Sequence, residues 1–186
     1  EQLNYSGSVN PSIGDYLYVN NSNIDGAKSS LSVQQSINFI TNINEDGTLN
    51  NNVTLKRKHN GTAVSPDGTN KNFVRLLIPE KSKVEKFAAI RGNFEKFFNQ
   101  GALPNNYYLG TESGKSSVNF WMSTVPGDES EMNLTYTPNY KLSMDDSFDY
   151  VINFQKQPGA NADKVEFTLN YPEEYLPVNV NNIDQS

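Results

Sequence analysis

Few side chains in this sequence have the type and spacing of a reactive centre. His59 is the single histidine. It stands beside Asn60-Gly61 at the end of an alternating stretch, with no serine or cysteine nucleophile motif nearby, so a surface imidazole is expected rather than a general base. Acids are plentiful but fall in pairs within turn-like segments: Glu45-Asp46, Asp128-Glu129, Asp145-Asp146 and Glu173-Glu174. A glycosidase needs two carboxyl groups held across a cleft, whereas paired acids in turns usually dress a solvated surface. Asp145, Asp146 and Asp149 cluster ahead of an apolar row, and calcium takes such carboxylate oxygens, although no Asp-x-Asp-x-Asp-Gly loop is present. Calcium is thus the one cofactor the sequence leaves open. No catalytic residue is expected.

Aromatic side chains offer a different chemistry. Trp121 falls on the parity opposite Phe120, which turns it outward, and Tyr107 and Tyr108 lie in a preceding loop. An exposed Trp with tyrosines stacks on sugar faces or anchors a protein partner. Alternatively, the aromatic segment from Phe87 to Phe98 lies across that face and buries Trp121. The poor solubility of an exposed Phe row favours this second arrangement. Lys156 is the residue with an odd phase. Its parity with Ile152 and Phe154 points it inward, so it either carries its head out to water along its stem or pairs with Asp25 or Asp149.

These residues are positioned by strands. Leu31, Val33, Ile37, Phe39 and Ile43 share one parity while Ser, Gln and Asn occupy most of the other, the mark of a half-buried strand. Asn44-Glu45-Asp46-Gly47-Thr48 supplies a turn, and Val53 and Leu55 alternate on the way back to Lys58. Asp15 to Asn20 is bulky on both faces and reads as an interior strand. Further rows are Phe73–Ile78; Val118, Phe120 and Met122; Met132, Leu134 and Tyr136; Phe148, Tyr150, Ile152 and Phe154; and Val165, Phe167, Leu169 and Tyr171. Between them, Val84, Phe87, Ile90, Phe94, Phe97 and Phe98 recur at spacings of three and four, which predicts one or two short helices within 81–100, interrupted near Gly92. The sum is mainly β: an antiparallel, Ig-like β-sandwich of two sheets. One domain over 1–186 is expected, with 1–14 a lead-in segment and 181–186 a frayed tail.

Bulk properties narrow the function. The net charge of -6 and the pI near 4.8 give no clustered basic surface for phosphate, so nucleic acid is not an expected partner. Arg57 with Lys56 and Lys58 is the densest basic run, and alternation splits it across two faces. There are no cysteines, which removes disulfides, thiolate nucleophiles and Cys-based zinc sites. No run has the ~18 apolar residues of a membrane-spanning helix.

Four stretches then occur in order: Tyr16-Leu-Tyr-Val-Asn-Asn-Ser-Asn-Ile-Asp-Gly-Ala-Lys-Ser-Ser30; Arg75-Leu-Leu-Ile-Pro79; Val125-Pro-Gly-Asp-Glu129 leading to Leu134-Thr-Tyr136; and Gln155-Lys-Gln-Pro-Gly159. Over roughly residues 15 to 171 they resemble the C-terminal region of an uncharacterised bacterial envelope-protein family, a domain of unknown function that is number four thousand and twelve in its series. The resemblance implies a secreted or membrane-anchored protein, attached to the membrane only through an anchor outside this chain. It implies no activity. Gly26, Lys28, Lys156, Gln157, Pro158 and Gly159 match its motifs and read as structural, whereas Lys83 to Gly110 departs from the pattern. The expectation is a non-catalytic extracellular domain of a bacterial surface protein, serving adhesion, envelope assembly or display, with another surface protein or a glycan as partner. The alternative is a carbohydrate-binding module using Trp121, Tyr107 and Tyr108, and a surface hydrolase trails both.

Overall fold

The computed structural model describes residues 9, 13–24, 28–64, 66–96, 105–145, 147–159 and 164–178. Two five-stranded sheets face each other as a β-sandwich. One sheet contains β1 (Asp15–Asn23), β4 (Asn70–Ile78), β6 (Tyr108–Glu112), β7 (Lys115–Thr124) and β9 (Ile152–Gln155), in the order β6-β7-β4-β1-β9. The other contains β2 (Val33–Ile43), β3 (Leu49–His59), β5 (Lys83–Arg91), β8 (Glu129–Thr137) and β10 (Lys164–Asn170), in the order β10-β2-β3-β8-β5. Neighbours are antiparallel except at one side of the sandwich, where β9 runs parallel to β1 and β10 parallel to β2.

The β2–β3 hairpin follows from the alternation that announced it. Its register runs from Val33 opposite His59 to Ile43 opposite Leu49, with Gly47 at φ +78° in the turn. The dry face of the hairpin meets β1, β4 and β7 in a core that includes Phe39, Val53, Leu55, Val74, Phe120 and Leu134, all fully buried. Each such side chain contributes ~1.5–3 kcal/mol of burial. Leu31 is a correction: it is exposed in a 3-10 turn (Ser29–Ser32), so the buried row begins at Val33. Phe148 also lies ahead of its strand, since the pairing starts at Ile152.

The expected helices within 81–100 are a second correction, because Lys83–Arg91 is strand β5, paired antiparallel to β8. The register shifts between Val84 and Lys86 and again between Ala89 and Arg91. Each bulge displaces the apolar set by one position. Val84 and Phe87, three apart, therefore both fall opposite inward residues, Tyr136 and Leu134. Helical spacing arose here from a bulged strand. At Gly92, with φ +96°, the chain leaves this sheet, and Asn93 bridges to Ser123 on β7 of the other. Phe97 and Phe98 lie outside the described residues.

Candidate functional site

The aromatic residues singled out by sequence divide between the two faces of the first sheet. Tyr107 turns inward and stacks on Phe87, ring centroids 4.8 Å apart, beside Phe94 and Phe120. Tyr108 turns outward. On that face Phe73 packs between Trp121, at 5.1 Å, and Tyr108, at 6.3 Å. Phe73 was missed in the sequence, although its parity with Lys71 and Arg75 marks it as outward. The segment after β5 covers Trp121 only in part. Phe87 and Phe94 go to the core, while Glu95 pairs with Lys71 at 2.6 Å, and the Lys71 ammonium lies 5.4 Å from the Trp121 ring centre. Beside this strip, Arg75 donates to both carboxylate oxygens of Glu112, at 3.2 and 3.0 Å, and to Asn20 Oδ1 at 2.9 Å. The outer face thus presents a half-buried aromatic strip flanked by guanidinium, carboxylate and amide groups.

Lys156 is exposed and forms no ion pair among the described residues; Asp149 is also exposed, and Asp25 lies outside that set. The inward phase of Lys156 is lost because β9 ends at Gln155. Its neighbour Gln157 does the structural work. The Asn21 N–H donates to Gln157 Oε1 at 2.8 Å, and Gln157 Nε2 donates to the Asn21 carbonyl at 2.9 Å. The side chain thereby replaces one missing rung beside β1. Pro158 and Gly159, at φ +73°, form the exposed turn that follows. The Lys28 amide bonds the Pro66 carbonyl at 2.9 Å, its side chain is exposed, and Gly26 lies outside the described residues. Of the three acids proposed for calcium, Asp145 and Asp149 are exposed, Asp145 accepts from the Ser143 hydroxyl, and Asp146 is outside the described set. No three potential metal-ligand side chains gather among the described residues.

The strongest departure from expectation is His59, which is fully buried. Its Nδ1 accepts from the Gly61 N–H at 3.0 Å, leaving Nε2–H to donate to the Gly68 carbonyl at 2.8 Å. Both ring nitrogens are engaged by backbone groups of the loop that follows β3. At the opposite end of the sandwich Asp15, also fully buried, gathers four donors that sequence reasoning missed. Asn51 Nδ2 and the Tyr150 hydroxyl donate to Oδ2 at 2.6 and 3.0 Å; the Tyr16 N–H and the Tyr136 hydroxyl donate to Oδ1 at 3.1 and 3.4 Å. Burial pushes the Asp15 carboxyl above its ordinary value against the pull of these donors. Burial, reinforced by the Asp15 charge, likewise raises the Tyr136 and Tyr150 hydroxyls. This cluster ties both sheets together.

A cleft of about 400 Å³ lies on the outer face of the second sheet, lined by Ser36, Asn38 and Thr54 between two ion pairs. Lys56 meets Glu131 at 3.2 Å, and Lys164 meets Glu166 at 2.6 Å. Lys164 holds the Glu166 carboxyl below its ordinary value. A glycosidase acid requires the reverse shift.

No protein-family model matches this chain, and no curated protein matches it. Among solved structures, the M1 zinc metallopeptidase from Deinococcus radiodurans is similar at 13% identity and a TM-score of 0.28, over 60% of this chain and 21% of that one. A mutant of a two-domain M1 zinc metallopeptidase, bound to L-tryptophan, is similar at 14% identity and a TM-score of 0.30, over 77% of this chain. The chain spans a quarter or less of either, 21% and 25%.

Proposed function

We propose that this chain is a non-catalytic domain of a bacterial cell-surface protein, held outside the cell, where it serves adhesion, envelope assembly or partner display. The observation that carries this reading is the side of the sandwich bounded by β9 and β10. Phe154 and Phe167, each 38% exposed, pack there on the buried Phe39 ring, and Val165, 44% exposed, shares the face of Phe167 on β10. Contiguous apolar exposure of this kind marks interaction surfaces. The order of the four motifs, which resembles that of a bacterial envelope-protein family, supports an extracellular setting. The test is retention of the purified chain on isolated bacterial envelopes, with Val165→Lys in parallel. Retention of the wild type and its loss in the variant is the expected result; equal retention of both overturns the reading.

A second reading, a carbohydrate-binding module, is favoured by the Trp121–Phe73–Tyr108 strip with its polar flank. Sugar rings stack on such surfaces, and their hydroxyls bond to the flanking amide and charged groups. A glycan array with Trp121→Ala distinguishes it: binding that survives the substitution removes the sugar from this strip.

A further inference from the structure

We propose that the Trp121–Phe73–Tyr108 strip takes a neutral oligosaccharide, and that Glu112 sets this preference by closing Arg75 to acidic sugars. The inference names the ligand class for the carbohydrate reading above and rests on it.

The register places polar groups beside the rings. Tyr108, Asn119, Arg75 and Asn20 lie in one row across β6, β7, β4 and β1, and Trp121 stands opposite Phe73 in the next. The rings follow one another at 5.1 and 6.3 Å, with their planes turned by 55 and 25°. A chain of sugar rings thus meets successive apolar surfaces rather than a single one. Asn119 is buried, and its Nδ2 is committed to the Tyr108 carbonyl and the Ser117 hydroxyl. The groups left to a ligand are the half-exposed Arg75–Glu112 pair and Asn20.

This set suits hydroxyl groups, which both donate and accept. Arg75 Nη1 donates to the two Glu112 oxygens at 3.2 and 3.0 Å, and Nη2 donates to Asn20 Oδ1 at 2.9 Å. A carboxylate has more lone pairs, and a guanidinium more N–H groups, than these bonds use. A sugar hydroxyl can therefore donate to Glu112 while its neighbour accepts from Arg75. A protein partner fits less well. The centre of a protein interface is depleted of charge, whereas these rings have an ion pair on either side.

The same set turns anions away. The cations on the outward face of β1, β4, β6 and β7 are Lys71, Arg75 and Lys115. Glu95 holds Lys71 at 2.6 Å, Glu112 holds Arg75, and Lys115 is buried with its ammonium 4.7 Å from the Tyr16 ring centre. A sugar carboxylate or sulfate that reaches Arg75 meets the Glu112 carboxylate at the same place. The net charge of -6 opposes its approach as well.

A glycan array of neutral, uronate and sulfated oligosaccharides tests this, followed by calorimetry on the best neutral ligand and on the same oligosaccharide oxidised at C6 to its uronate. The wild type should bind the neutral form roughly tenfold or more tightly than the uronate. Glu112→Gln uncovers the Arg75 charge and should shift that preference toward the uronate by a similar factor. Glu112 is 38% exposed on an edge strand, and thermal melts confirm that the variant folds. The first comparison needs no variant at all. The inference is overturned by a wild type that binds the acidic form as well as the neutral one, or by a preference that Glu112→Gln leaves unchanged. An array with no bound glycan, or binding that survives Trp121→Ala, ends the carbohydrate reading itself. A strip that binds acidic glycans and loses them in Trp121→Ala keeps that reading and ends only this inference.

Discussion

Asp15→Ala should be among the most damaging single substitutions in this sandwich that create only a small void. The carboxylate accepts from Asn51, Tyr150, Tyr136 and the Tyr16 N–H. Tyr150 keeps a partner in Thr41, 3.0 Å away. The Asn51 amide and the Tyr136 hydroxyl, both in fully buried residues, lose their acceptor. A buried donor left without a partner costs ~1–3 kcal/mol, so the pair sets a range of roughly 2–6 kcal/mol. Removing the carboxylate also removes its own cost of burial, which places the net loss in the lower half, about 2–4 kcal/mol. For a chain of this size that is a fall in Tm of about 5–15 °C, against a total stability of ~5–15 kcal/mol. Urea unfolding at neutral pH, followed by tyrosine and tryptophan fluorescence, gives the difference directly. A loss below about 1 kcal/mol would show that the cluster is not a tie between the sheets.

Asp15→Asn tests the same site through pH. Because burial raises the Asp15 value above 3.8, its stabilising contribution is complete below that pH and is lost as pH climbs through the folded value. The wild type should therefore lose stability relative to Asp15→Asn between acid and neutral pH; a difference that is flat, or that grows with pH, contradicts the assignment. Gly92→Ala forces a side chain into φ +96° and sets its methyl 2.7 Å from Ser130 Cβ. The expected loss is ~1–3 kcal/mol, and an unchanged denaturation midpoint would refute it. Gln157→Leu removes both bonds to the Asn21 backbone and should speed hydrogen exchange at the Asn21 amide; undiminished protection there counts against the proposed rung.

The sandwich was legible because alternation reports burial face by face. Val33 to Ile43 and Leu49 to His59 alternate without a break, and their pairing follows from the Asp-Gly turn. Bulges defeat that signal, as at Val84 to Arg91, where an extra residue in the strand imitates the spacing of a helix. His59 misled for a related reason. It shares the inward parity of Leu55, yet the carbonyl that satisfies it belongs to a loop whose path no local pattern gives. The Asp15 cluster was partly visible: Thr41 and Asn51 sit on the inward parity directly opposite one another, and Asp15 opens a strand that is bulky on both faces. Their convergence with Tyr136 and Tyr150 depends on how two sheets are stacked, which alternation within a strand does not encode. The same limit separated Tyr107 from Tyr108, adjacent in sequence and on opposite faces of a sheet.

The parallel pairing of β1 with β9 has a mechanical consequence. Tension drawn between the start of β1 and the end of β9 runs along both strands in opposite senses. The rungs from Asp15–Ile152 to Tyr18–Gln155 are then loaded together rather than unzipped in turn. An antiparallel partner in that position would yield rung by rung from one end. A domain placed under tension between these two points gains resistance from this arrangement, with no disulfide to hold it.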